Sequence, residues 1–294
     1  MQPTLKRIVV ALSVPLLLGL SLHAVKAWAQ DGAQPGSLSE IAASDDVQML
    51  ELEPSLFHEE YADMAAGFVP RRLIYIVQDA EGVVHGRLVV SMSVTDEEGE
   101  LSRELVKEYE YPFIGRSRLV VDGLSLAPSE CRLTIYDLQS GPIPDGVRPA
   151  EAWQAEYYYD LVAVAVESKD VGTFYSFRHP LEAYDLEGLY LLFSQLAVER
   201  FPRLGVLLVT APFRYRNYAV LISRLGRESI YGADAEKHVC EHLLLEFSDS
   251  TQEFFVETMP PHRVVKFTSG QYTYTLIEDD TDYEDDTRDP LEFR

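Results

Sequence analysis

His238–Ile277 reads HVCEHLLLEF-SDSTQ-EFFVET-MPPH-RVVKF-TSGQ-YTYTLI. Four runs rich in Val, Leu, Phe and Tyr are separated by Ser-Asp-Ser, Pro-Pro-His and Ser-Gly-Gln, residues that favour turns. This pattern predicts four short antiparallel strands. Such a meander cannot bury its apolar face alone, so the upstream chain must supply the opposing wall.

The upstream sequence repeats the β signal. Arg72–Gln78, Val83–Thr95, Arg116–Val121, Cys131–Leu138, Tyr157–Glu167, Gly205–Pro212 and Arg214–Arg224 read as strands, while Leu101–Tyr111 leaves helix and strand both open. One helix is predicted, over Leu181–Val198. There Leu186, Leu189, Tyr190, Phe193, Leu196 and Ala197 share a face, and Glu182 and Asp185 suit a helix N-terminus. Antiparallel strands around a lone amphipathic helix describe an α+β fold, predominantly antiparallel β, with the helix laid on one sheet face.

The N-terminus speaks to location. Lys6 and Arg7 precede the apolar run Ile8–Leu22, which leads to Ala27-Trp28-Ala29. This is the pattern of a cleaved secretory signal, and the run falls short of the roughly 20 residues that span a bilayer. We expect residues 1–29 to be a signal peptide, 30–70 a flexible acidic arm, 71–277 the β domain and 278–294 an acidic disordered tail. No transmembrane segment is expected after cleavage, and the periplasm is the expected destination. Loss of Lys6, Arg7 and Lys26 would move the formal charge from −23 to −26. That excess of acid would repel phosphates, so nucleic acid is not an expected partner.

Candidate chemistry is sparse. His238, Cys240 and His242 alternate on a strand, but i to i+4 spans about 13 Å. One zinc ion could then reach at most two of them, so no metal site is expected. Glu278–Asp286 carries seven acids in nine residues, yet it lacks the Gly and Glu that a calcium loop needs. Gly123–Ala127 (GLSLA) falls one Gly short of a nucleophile elbow and has no strand–turn–helix context. There is no phosphate-binding Gly loop and no Cys-x-x-Cys, so no cofactor is implied. Tyr157–Tyr159, Phe174, Tyr175 and Phe177 could line a groove or simply pack a sheet. Cys131 and Cys240 are a disulfide candidate in an oxidising compartment, or equally two buried thiols.

The order of elements also resembles a known family. A strand pair precedes Leu119–Pro128 (LVVDGLSLAP), followed by a Tyr-rich strand, a helix from Asp185 and a Gly-Arg-Glu turn at Gly226–Glu228. A Cys-bearing strand and the ending Phe254–Phe267 close the series. This is similar to the exported bacterial family called domain of unknown function 3108, whose members look like distant fold relatives of the LolA and LolB lipoprotein carriers. The resemblance implies a curved half-barrel sheet around an apolar groove plugged by the helix. It implies no catalytic residues.

Two functions follow as expectations. In the first, an exported, non-enzymatic protein binds lipid or a lipidated protein between sheet and helix, with Leu186, Leu189, Tyr190 and Phe193 at the groove. In the second, the core is filled, and a structural or interaction protein of the cell envelope meets a basic partner through its acidic tail.

Overall fold

The computed structural model describes residues 48–49, 70–97, 100–123, 125–137, 147–168, 171–179, 183–210, 216–232, 236–247 and 250–280. The first nine strands are β1 (Gln48–Met49), β2 (Arg71–Gln78), β3 (Val84–Glu97), β4 (Glu100–Tyr109), β5 (Ile114–Asp122), β6 (Pro128–Tyr136), β7 (Glu151–Tyr157), β8 (Leu161–Ser168) and β9 (Val171–Arg178). The chain then forms β10 (Tyr184–Asp185) and the helix α1 (Leu189–Gln195). It closes with β11 (Arg203–Thr210), β12 (Arg216–Tyr231), β13 (Lys237–Glu246), β14 (Thr251–Glu257), β15 (Val264–Ser269) and β16 (Tyr272–Asp280).

The strands form one large curved, unclosed sheet in the order β1-β11-β12-β13-β14-β15-β16-β2-β3-β4-β5-β6-β7-β8-β9. Two runs of successive hairpins meet where β16 pairs antiparallel with β2, Thr273 opposite Gln78 and Asp280 opposite Arg72. Among the described residues, only β1 and β10 break the antiparallel pattern, both lying parallel to β11. Register shifts at Arg224/Gly226, Phe255/Val256 and Leu276/Glu278 sharpen the bend, as bulges do. Gly226 takes φ 134° at the first of these, a backbone state that a side chain would strain. The fold is α+β: a half-barrel of strands wrapped around one short helix, the single α-helix among the described residues.

The predicted meander is β13–β16. β16 runs three residues further than the sequence pattern suggests, so Glu278–Asp280 of the expected tail pair with Arg72–Ile74. The remainder of that tail, the signal segment and almost all of the N-terminal arm lie outside the described residues. Leu101–Tyr111, ambiguous in sequence, falls largely in strand β4.

The helix differs more. Among the described residues of Leu181–Val198, Tyr184–Asp185 are a strand, Leu186–Gly188 a 3-10 turn and Leu189–Gln195 the only α-helical residues, with a second 3-10 turn at Val198–Arg200. Leu196 is extended (φ −74°, ψ 125°) and ends the helix. Nor is α1 amphipathic: Leu189, Tyr190, Leu191, Leu192, Phe193 and Gln195 are all buried. A helix buried on almost every side belongs inside a core, and the 3.6-residue pattern extended this one into flanks with other structure.

Its place in the topology explains the burial. β9 is one margin of the sheet and β11 lies at the other, so the chain between them must cross the concave face. On that face Phe254, Phe267 and Tyr274 stand in register on β14, β15 and β16. Their rings stack with centroids 5.4 and 4.2 Å apart. α1 lands on this ladder, with Phe193 4.9 Å from Phe254 and Tyr190 edge-on to Phe267 at 5.5 Å. Tyr75 of β2 meets both Tyr190 and Phe267 and donates its hydroxyl to the Val264 carbonyl at 2.8 Å. One continuous apolar cluster therefore includes α1 and residues of β2–β8 and β10–β16.

Phe193 has no exposed surface. Phe193→Ala should lower stability by about 3–5 kcal/mol. In urea titrations this would be a lower midpoint at unchanged slope; an unaltered midpoint would show that α1 is not seated as described.

Candidate functional site

The four residues expected to bind ligand are brought together on the concave face. Leu186, Leu189, Tyr190 and Phe193 are 3, 1, 5 and 0% exposed and belong to the packed cluster. They occupy the space where an apolar groove was expected, as core side chains.

Beneath the start of this crossing lies a polar cluster that sequence reasoning missed. Glu187 Oε2 accepts from Lys107 Nζ at 2.9 Å, Tyr109 Oη at 2.9 Å and Ser117 Oγ at 3.1 Å. Lys107 also sits 4.8 Å from the centre of the Tyr190 ring. Asp185 caps the 3-10 turn, its Oδ1 accepting from the Glu187 amide at 2.7 Å, while Oδ2 accepts from the Tyr157 hydroxyl. Residues 185–187 are thereby bolted to β4, β5 and β7. One signal was legible: Arg103, Leu105, Lys107 and Tyr109 share one strand face, and two cations beside Leu on an inward face need buried acids.

Electrostatics separate the two carboxylates. Burial would raise Glu187, but the Lys107 charge and the three hydrogen bonds outweigh it and hold the group below its ordinary value. For Asp185 burial wins: the Tyr157 hydrogen bond opposes it, the Glu187 charge reinforces it, and the carboxyl is pushed up to about 7. The arrangement is a clamp, since each polar group is spent on another within it.

The cysteines do not form a bridge. Cys131 lies on β6 in the main cluster, whereas Cys240 lies on β13 in a separate cluster with Phe255 and Val265. Seven strands stand between β6 and β13 in the sheet order, far beyond the reach of a disulfide. Burial raises both thiols, Cys240 to about 12. His238 and His242, which share the strand face of Cys240, are each engaged separately. His238 Nδ1 lies 2.8 Å from Glu257, and His242 Nδ1 lies 2.9 Å from Glu228, with its ring stacked on Phe255. Among the described residues, no group of three His, Cys, Asp or Glu side chains is placed to hold a metal ion.

A cleft of about 270 Å³ opens between the crossing and the sheet, lined by Val198, Glu199, Arg227, Glu241, Val256 and His262 among others. Its floor is the registered row Arg227–Glu241–Val256. Buried Glu241 accepts from Arg227 Nε at 2.5 Å and lies 3.8 Å from Arg224, whose Nη1 donates to the Glu199 carbonyl at 2.8 Å. The recess is thus polar: Arg227 and Glu241 pair within it, and Glu257 on its wall is engaged by Arg263 and His238. Glu241 was hidden inside HVCEH, where the alternating His and Cys drew the reading.

The remaining sequence candidates are structural or peripheral. Ser125 of the GLSLA stretch gives both its amide and its hydroxyl to Asp122 Oδ1, closing a turn. Of the aromatic group, Tyr157 and Phe177 meet the core, while Tyr158, Tyr159, Phe174 and Tyr175 are 55, 80, 67 and 41% exposed. No helix among the described residues is long and apolar enough to cross a membrane. No family model matches the chain, and no curated protein is similar to it.

Two measurements check this site. Asp185 binds its proton more tightly folded than unfolded, so stability should fall as pH rises from 3.8 to about 7. The loss should reach up to about 4 kcal/mol, and Asp185→Asn should remove that part of the pH dependence; parallel profiles for the two proteins would refute the assignment. Separately, a thiol reagent should label Cys131 and Cys240 only after denaturant unfolds the chain, and labelling of the native protein would contradict their burial.

Proposed function

We propose that this chain is an exported, non-enzymatic interaction protein of the cell envelope, a half-barrel that fills its own interior and meets partners from outside. The observation that carries this reading is the seat of α1: Tyr190 and Phe193 complete the Phe254–Phe267–Tyr274 ladder with their own rings. The Asp185–Glu187 clamp holds the same segment from the other side. Export rests on the pattern of residues 1–29, and the contact surface on the acids beyond β16, Asp282 and Glu284–Asp286. A basic partner would bind such a run through charge that salt screens.

Binding of lipid or a lipidated protein is the second reading, and one observation favours it. The buried side chains of Gln195, on α1, and Gln252, on the concave side of β14, find no hydrogen-bond partner among the described residues. Buried amides are seldom left so, and a ligand with polar groups would satisfy them. An acyl chain returns about 0.8 kcal/mol per buried CH₂. A dozen methylenes would then return roughly 10 kcal/mol, enough to offset displacement of two or three of the large side chains of α1.

Two assays separate these readings. Deleting 281–294, which leaves β16 whole, should keep the melting temperature and abolish a salt-sensitive pull-down from envelope extract. Retention of the partner by the truncated chain would count against the acidic contact. A fluorescent acyl probe should stay unbound; saturable binding, weakened by Phe193→Ala, would transfer the assignment to the carrier reading.

A further inference from the structure

The margin of the sheet at β9 offers a surface that the acidic segment does not use. Side chains on a strand alternate between two faces, and a covered sheet hides one of them. Along β9, Gly172, Thr173, Phe174, Tyr175 and Ser176 are all exposed, so both faces show. Edges are normally guarded by Lys, Pro, a bulge or a covering element. Val171–Phe177 (VGTFYSF) has no such residue and no charge, in a chain whose formal charge is −23. At the opposite margin, β11 is accompanied by β1 and β10.

We propose that two copies of this chain associate through β9, strand against strand, antiparallel about a twofold axis at Tyr175. That register sets Phe174 opposite Ser176 of the partner subunit and Gly172 opposite Arg178 of the partner subunit. Charge selects a second copy as the occupant. Gly172 pairs with Glu167 on β8, and a Cβ at Gly172 would meet nothing within 4 Å. The lane from Arg178 of the partner subunit to Glu167 is therefore open. Two strand spacings are about 10 Å, within the joint reach of an Arg and a Glu, and the symmetry forms this pair twice. Arg178 lies 4.0 Å from Asp160, and both side chains are largely exposed. Elsewhere the excess of acid opposes self-association; the neutral strand removes that repulsion at the seam, and its ends attract.

Eight residues a side cover less than the roughly 800 Å² per partner of a standard stable interface. The pairing is therefore reversible and set by concentration. Sedimentation velocity on the chain following residue 29, over a wide concentration series, should show a monomer–dimer equilibrium. Phe174→Lys and Arg178→Glu should each weaken it, the latter by about tenfold. Glu167→Arg combined with Arg178→Glu should restore it, because the swapped charges meet in the same register. A wild-type chain that stays monomeric overturns the proposal. So does a dimer indifferent to these variants, or one that the double swap fails to restore. Circular dichroism spectra and melting curves matching wild type establish that each variant is folded.

Discussion

A bent sheet with an apolar concave side cannot stand in water unless that side is covered, and here one short stretch of chain does the covering. Residues 183–200 pass from one margin of the sheet to the other and place their large side chains against the inward rows of most of the strands. Burial of apolar area is the dominant favourable term in folding. A sheet without this insert would leave the Phe254–Phe267–Tyr274 ladder open to solvent. The curvature, the buried helix and the clamp at Glu187 all answer to that requirement.

The insert is fixed by two kinds of force with different reach. Aromatic packing at Tyr190 and Phe193 is broad and tolerates small displacement. The hydrogen bonds from Lys107, Tyr109 and Ser117 to one oxygen of Glu187 are short and directional. Burying a charge is costly unless it is paired and bonded, so the clamp sets the position of the turn before α1 more sharply than packing alone. That division suits a crossing whose helix, α1, has only seven residues; a helix this short has little stability of its own.

Much of the architecture was legible because strand alternation is a local signal. β13–β16 could be read from turn residues and period-two runs, and the antiparallel class followed. The helix was legible in existence and in side-chain set but not in length, since Leu186 and Leu196 continue the spacing while the backbone is a 3-10 turn at the first and extended at the second. Non-local matters were not legible. Nothing around Lys107 names Glu187, eighty residues away, as its partner, and nothing around Glu241 reveals that Arg227 lies across from it. Only the presence of Arg103 and Lys107 on the face that carries Leu105 hinted that acids waited inside. The two cysteines show the converse limit: each sits in an apolar strand, but only the strand order puts them too far apart to bond.

The seam between β16 and β2 has a bearing on how the molecule is born. The first long strand waits for the last, with about two hundred residues of chain between them, and the insert that lines the hollow belongs to the middle. Loop closure of that length comes late and slowly. Until β16 arrives, β2 keeps a bare flank. A chain emerging N-terminus first would thus pass through a sticky intermediate, and an escort holding that unzipped flank until β16 is made would suit this topology.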